Sequence, residues 1–101
     1  MSSADPPYDV QLAPAAARAY SKLGNVDREP IRRALESLAV ALTGRGRGGK
    51  AIKTIQGTSD RFQRLRIGDF RIMYDVVAED RVVLVLGIVH RADLHRWLRN
   101  R

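Results

Sequence analysis

The stretch Arg61–Asp75, RFQRLRIGDFRIMYD, constrains this chain more than any other. Two runs rich in aromatic and branched residues, Phe62–Ile67 and Phe70–Val76, flank Gly68-Asp69. A two-residue loop that begins with glycine suits a type I′ or II′ turn, whose twist matches that of paired strands. The register follows by counting outward: Ile67 faces Phe70, Arg66 faces Arg71, Leu65 faces Ile72 and Arg64 faces Met73. Strand side chains alternate between faces. One face therefore carries Leu65, Ile67, Phe70, Ile72, Tyr74 and Val76 and reads as core. The other carries Arg64, Arg66, Arg71, Met73 and Asp75. Like charges directly opposite each other cost about 0.2–1 kcal/mol. Such a face is either solvated, with Asp75 as partial counter-charge, or an anion site suited to phosphates.

The charge distribution bears on that choice. The chain has 101 residues and a formal charge of +7. In residues 1–42 five basic and five acidic side chains cancel, so the whole excess lies in the half that contains the hairpin. That asymmetry points to a polyanion, either nucleic acid or an acidic protein. The chain contains no cysteine, which excludes a disulfide framework, a thiolate metal site and a thiol nucleophile. No apolar run reaches membrane-spanning length, and Met1–Pro7 lacks the apolar core of a signal peptide. The length suits a single domain over residues 1–101, and a cytoplasmic protein is the simplest inference.

Along the chain, Met1–Pro7 is small, polar and proline-containing and is expected to be disordered. Tyr8–Leu12 alternates as a first strand. Pro14 opens a helix that continues through Ala15–Leu23 and stops at Gly24. Asp27 suits the N-cap of a second helix, with Pro30 in its first turn. There Ile31, Leu35, Leu38 and Leu42 recur at spacings of 4, 3 and 4, an amphipathic stripe. A short turn between the helices predicts an antiparallel helical hairpin on one sheet face.

Thr43–Lys50, TGRGRGGK, is a loop. It resembles a phosphate-binding Walker A loop, but Ala51 stands where that motif needs Ser or Thr, and the loop follows a helix rather than a strand. It reads instead as a basic rim, with Arg45, Arg47 and Lys50, and Lys53 just beyond it, as RNA contacts. Ala51–Gln56 is an extended lead-in and Gly57–Asp60 a turn. After the hairpin, Ala78–Asp80 turns again. Arg81–Val89 is apolar at both parities, Val82, Leu84, Leu86 and Ile88 against Val83, Val85 and Val89, as befits a central strand covered on both sides. Ala92–Arg99 predicts a short terminal helix. The order is β-α-α-β-β-β-α, an α+β domain with one mainly antiparallel sheet.

Candidate acids and bases are few. His90 and His95 are the two histidines, and histidine titrates near neutrality. Two histidines with scattered acids do not make a metal site, so neither metal nor cofactor is expected. What remains is metal-free phosphodiester chemistry on RNA, which brings its own nucleophile in the 2′-hydroxyl. Arginines stabilise the phosphate but are poor bases. That leaves His95 as the better proton acceptor and His90 as the second.

The residues R64-L-R-I-G-D-F-R-I-M-Y74, then V82-V-L-V-L, then V89-H-R-A-D-L-H-R96, resemble the RelE branch of the RelE/ParE toxin superfamily. The element order fits from Tyr8 to Arg99. The resemblance implies a small cytoplasmic toxin held in a heterocomplex by a co-expressed antitoxin with an acidic segment. RelE-type members cut mRNA in the ribosomal A site without metal, whereas ParE-type members act on DNA gyrase. Carried over position by position, the resemblance places Arg64, Arg66, Arg71 and Arg91 at the scissile phosphate. His95 stands where the family has tyrosine, and arginines stand where the best-studied type has lysines. His90 and Arg96 join the expected RNA contacts. A gyrase poison and a plain RNA-binding module remain the alternatives to a nuclease.

Overall fold

The computed structural model describes residues 6–43 and 62–100. Expectations for residues 1–5, for most of the Thr43–Lys50 rim, for the 51–56 lead-in and for the 57–60 turn lie outside these residues. So do Arg45, Arg47, Lys50 and Lys53 as RNA contacts.

The described elements are β1 (Asp9–Leu12), α1 (Pro14–Lys22), α2 (Asn25–Ala41), β2 (Gln63–Ile67), β3 (Phe70–Val77), β4 (Val82–His90) and α3 (Leu94–Arg99). Single 3₁₀ turns at Ala78–Asp80 and Arg91–Asp93 bracket β4. The four-stranded sheet has the order β1-β4-β3-β2, with β1 parallel to β4 and the other pairs antiparallel. β4 is thus interior, as its apolar composition requires.

The hairpin register is the one the turn dictates. Arg64 pairs with Met73, Leu65 with Ile72, Arg66 with Arg71 and Ile67 with Phe70. Gly68 has φ +57°, while Asp69 does not share the positive region. A positive φ at the first central residue alone is the type II′ pattern, which glycine adopts without a Cβ clash.

β4 departs from simple alternation. Met73 pairs with Gly87 but Tyr74 pairs with Val85, so Leu86 is an extra residue on β4. This bulge flips the parity of everything beyond it. Ile88 therefore joins Val83 and Val85 on the core face, where strict alternation would have placed it with Leu84 and Leu86. The core under the helices comprises Ala16, Ile31, Leu35, Leu42, Ile72, Tyr74, Val83, Val85 and Ile88.

The helices differ from expectation at their ends. α2 begins at Asn25, capped by Gly24, whose carbonyl accepts from the N–H groups of Asp27 (3.1 Å) and Arg28 (2.9 Å). Asp27 lies inside the first turn, where its charge suits the helix dipole, and Pro30 is an interior residue. The helices also lie on the sheet more than along each other. α1 packs over β4 and β1, while α2 reaches both edge strands, β1 and β2. Pro6 belongs to the expected disordered lead-in, yet its carbonyl accepts from the Arg81 guanidinium, which also sits 5.0 Å over the Tyr8 ring.

The opposite sheet face has a smaller core of its own. Met73 is completely buried there, and Phe62 nearly so. Trp97 of α3 packs edge-on to Phe62, with ring centroids 5.7 Å apart. The indole lies directly on Gly87: a Cβ at that position would meet Trp97 Cε2 and Nε1 at 2.6 Å. The contact that seats α3 thus depends on glycine at 87. Gly87→Ala should lift Trp97 and cost about 1–3 kcal/mol, the usual penalty of overpacking. Because Trp97 is the only tryptophan in the chain, urea unfolding followed by indole emission reads both effects. Unchanged stability with an unshifted emission maximum would contradict this packing.

Candidate anion site on the open sheet face

Arg64 and Arg66 of β2 and Arg71 of β3 project from the sheet face opposite the α1–α2 core. Their parity is set by the hairpin register. In a two-residue hairpin the pair next to the turn, Ile67–Phe70, exchanges backbone hydrogen bonds. Arg66–Arg71 is then a non-hydrogen-bonded pair, in which facing Cα atoms approach to about 4.5 Å and side chains come closest. Arg64 and Arg66 are exposed and Arg71 is half-buried.

The chain neutralises arginine elsewhere. On α2, Arg32 lies between Glu29 (2.7 Å) and Glu36 (2.8 Å). The hydrogen bond from Arg32 holds the Glu29 carboxyl below its ordinary range. Among the described residues, Arg64, Arg66 and Arg71 have no acidic partner. Asp75, the expected counter-charge, accepts a hydrogen bond from the neighbouring Val76 N–H instead, at 2.9 Å.

The hairpin turn gathers two further contacts. Arg71 Nη1 donates to the carbonyls of Gly68 (3.1 Å) and Phe70 (3.0 Å), which holds its guanidinium toward the tip. Arg91 follows β4 and meets the same tip. Its N–H donates to the Asp69 carbonyl (2.7 Å), and its Nε lies 3.6 Å from Asp69 Oδ1. Both side chains of that ion pair are about two-thirds exposed. An exposed pair contributes only about 0–1 kcal/mol, so Arg91 can exchange Asp69 for a more strongly bound anion.

Beyond the arginine row the face is closed by α3. Val89, the strand partner of Arg71, opens a recess of about 350 Å³ shared with Asp93, Arg96, Trp97 and Asn100. Arg96 borders it from the helix side, paired to Asp93 at 2.6 Å. Arg64, Arg66 and Arg71 thus form a cationic strip on this face; Arg91 lies at the hairpin tip and Arg96 beside the recess. Phosphate oxygens accept hydrogen bonds from such guanidinium forks bidentately.

The histidines are placed differently from the arginines. His90 pairs with Phe70 and packs edge-on against it, with centroids 5.6 Å apart, on the parity of the core face. It does not reach the arginine row. His95 is exposed on α3, two residues before Trp97. At about 100° per residue it points away from the side of α3 that meets the sheet. Tyr74 is buried on the core face, and desolvation pushes its phenol above the ordinary value; it belongs to the core. Sequence reasoning missed the Asp69–Arg91 tie and the seating of Trp97. Glycine inside an apolar strand was the available signal for the second, since it marks close approach by another element.

The family described as ParE toxin of type II toxin-antitoxin system, parDE, matches residues 10–95. No curated protein sequence matches. Among solved structures, the RelE–RelB complex of Pyrococcus horikoshii aligns with a TM-score of 0.62 at 24% identity, covering 84% of this chain and 96% of that one. The E. coli RelBE toxin–antitoxin complex aligns with a TM-score of 0.57 at 27% identity, covering 82% and 95%. The RelBE2 complex of Mycobacterium tuberculosis aligns with a TM-score of 0.53 at 26% identity, covering 86% and 94%.

One consequence belongs to the hairpin itself. Replacing Arg66 by Gln removes the like-charge pair across the strands. It should stabilise the fold by about 0.2–1 kcal/mol while lowering affinity for an inorganic polyphosphate probe, since one guanidinium is removed. Urea unfolding and a salt titration of binding measure the two effects. Loss of stability in this variant would mean that the arginine pair is structural.

Proposed function

Because the chain belongs to the ParE toxin family of type II toxin–antitoxin systems, we propose that it is a toxin whose arginine strip grips messenger RNA and cleaves it on the ribosome. The observation that carries this reading is the row of Arg64, Arg66 and Arg71 without acidic partners among the described residues, on a face that pays a like-charge cost to present it. A gyrase contact needs no such focused phosphate site; RNA cleavage does.

In this reading Arg64, Arg66, Arg71 and Arg91 hold the scissile phosphate and stabilise the charge that develops on it. The RNA 2′-hydroxyl attacks that phosphate, the P–O5′ bond breaks as the cyclic phosphate forms, and the departing 5′-oxygen takes a proton from solvent water. His95 takes the 2′-hydroxyl proton. In the free protein its ring points away from the side of α3 that meets the sheet, so reaching a 2′-hydroxyl beside the strip requires the ring to swing toward the strip when RNA binds. Removing one positioned charge donor costs roughly a hundredfold or more. Arg71→Ala should therefore fold normally and cleave at least about a hundredfold more slowly. His95→Ala should cost less, at or below the roughly hundredfold lower end for general-base loss, because its ring faces outward. Cleavage mapped on programmed ribosomes measures both. Equal rates for wild type and Arg71→Ala would remove the phosphate assignment.

Membership of the ParE toxin family supports a second reading, inhibition of DNA gyrase, which is the action the resemblance implies for ParE-type members. Wild-type protein that leaves ribosome-bound message intact but blocks gyrase supercoiling would establish it. Either toxin acts in the cytoplasm.

The partner follows from the same surface. The aligned E. coli and M. tuberculosis structures are toxin–antitoxin complexes, and a cognate antitoxin with an acidic segment would neutralise this chain by covering the arginine strip and α3. Electrostatic attraction would then speed association. Raising salt from 50 to 500 mM should slow association by about tenfold or more, with a smaller effect on dissociation. Stopped-flow mixing measures this. A salt-independent association rate would place the antitoxin elsewhere.

A further inference from the structure

His90 ends β4 on the core-face parity, edge-on to Phe70. Its Nδ1 accepts a hydrogen bond from the Ala92 N–H at 3.1 Å. It therefore caps the 3₁₀ turn Arg91–Asp93 that joins β4 to α3. Ser, Thr, Asp and Asn usually fill this role. An imidazole fills it only through an unprotonated ring nitrogen. Arg91 is the first residue of the capped turn, and its own N–H is bonded to the Asp69 carbonyl. The backbone at Arg91 is thus held on one side by the hairpin tip and on the other by the capped turn. Among the described residues its side chain rests only on an exposed carboxylate.

We propose that His90 is a positioning residue: by capping the Arg91–Asp93 turn it aims the Arg91 guanidinium at the phosphate bound on the arginine strip, and it does not touch RNA itself. This rests on the reading that Arg91 meets an RNA phosphate. Losing a cap acceptor typically raises the frayed population about fivefold. A misplacement of about 1 Å in a catalytic group can cost a hundredfold in rate. A modest local loosening therefore has a large functional effect. α3 has its own anchor in the Trp97–Gly87 contact, so the effect stays at the turn.

Two substitutions in the full-length protein separate the possible roles. His90→Phe keeps a ring against Phe70 and removes the acceptor. His90→Asn removes the imidazole and keeps an acceptor suited to capping. Amide hydrogen exchange at Ala92 is measured in the free protein, and mRNA cleavage on programmed ribosomes. His90→Phe should exchange about fivefold faster at Ala92 and cleave at least about tenfold more slowly, with Trp97 emission unchanged. His90→Asn should restore both toward wild type. If His90→Asn protects Ala92 but cleaves as poorly as His90→Phe, the imidazole acts on RNA directly and the proposal is overturned. Wild-type cleavage by a fast-exchanging His90→Phe variant overturns it too, since the turn then does not aim Arg91. If the wild type cleaves no message, the nuclease reading fails on its own, and binding of a short single-stranded RNA replaces cleavage as the readout. Loss of about one phosphate contact from the salt slope in His90→Phe, restored in His90→Asn, supports the positioning role. An unchanged slope overturns it.

Discussion

Everything functional on this molecule hangs on the parity of one hairpin. Gly68 takes a positive φ that an ordinary residue resists, and that turn leaves only one register for the strands behind it. A slip of a single residue would turn one strand over, driving either Arg64 and Arg66 or Arg71 into the core and exposing Leu65 and Ile67 or Ile72 in exchange. Burying even one unpaired charge costs far more than burying an apolar side chain gains. The arginines therefore help to specify the register they depend on, because every slip by an odd number of residues places some of them under α1 and α2. The turn then has a second use. Its two peptide units supply the carbonyls that orient Arg71 and hold the backbone of Arg91.

The open face shows a division of labour between stability and binding. On α2, Arg32 is neutralised by carboxylates one helical turn to either side. On the sheet, facing arginines repel each other and Asp75 is turned to the backbone. The repulsion is small, about 0.2–1 kcal/mol per facing pair, and the two-sided burial around β4 is large enough to absorb it. A polyanion bound there would convert that repulsion into attraction.

The hairpin, the central β4 and the terminal helix were legible because each depends on local alternation, turn chemistry or a continuous apolar run. The bulge at Leu86 was not. Val82–Val89 is apolar at both parities, so its sequence is equally compatible with either face beyond the bulge. The start of α2 was misplaced for a related reason. Asp27 looks like a cap, but the carbonyl of Gly24 closes the first turn, and carbonyls are the same in every residue. Of the candidate site, the arginine row could be read from parity alone. The position of His90 could not, because it depends on the parity shift that the bulge introduces. Strict alternation from Val83 and Val85 would have put His90 on the arginine side of the sheet.

That same bulge links the two faces. By advancing β4 one residue it turns Ile88 into the helix-covered core and leaves Gly87 on the other face, opposite Met73. The missing side chain at Gly87 is where Trp97 lands, and Phe62 and the buried Met73 complete that contact. Covering the whole second face would bury the arginines and require carboxylate partners for them. Leaving it fully open would expose Met73, Phe62 and Trp97 as an apolar patch. A helix of six residues covers the apolar part and stops short of the arginine row. The parity shift, the glycine and the shortness of α3 therefore form one solution to a single constraint: a sheet face that is half core and half arginine row.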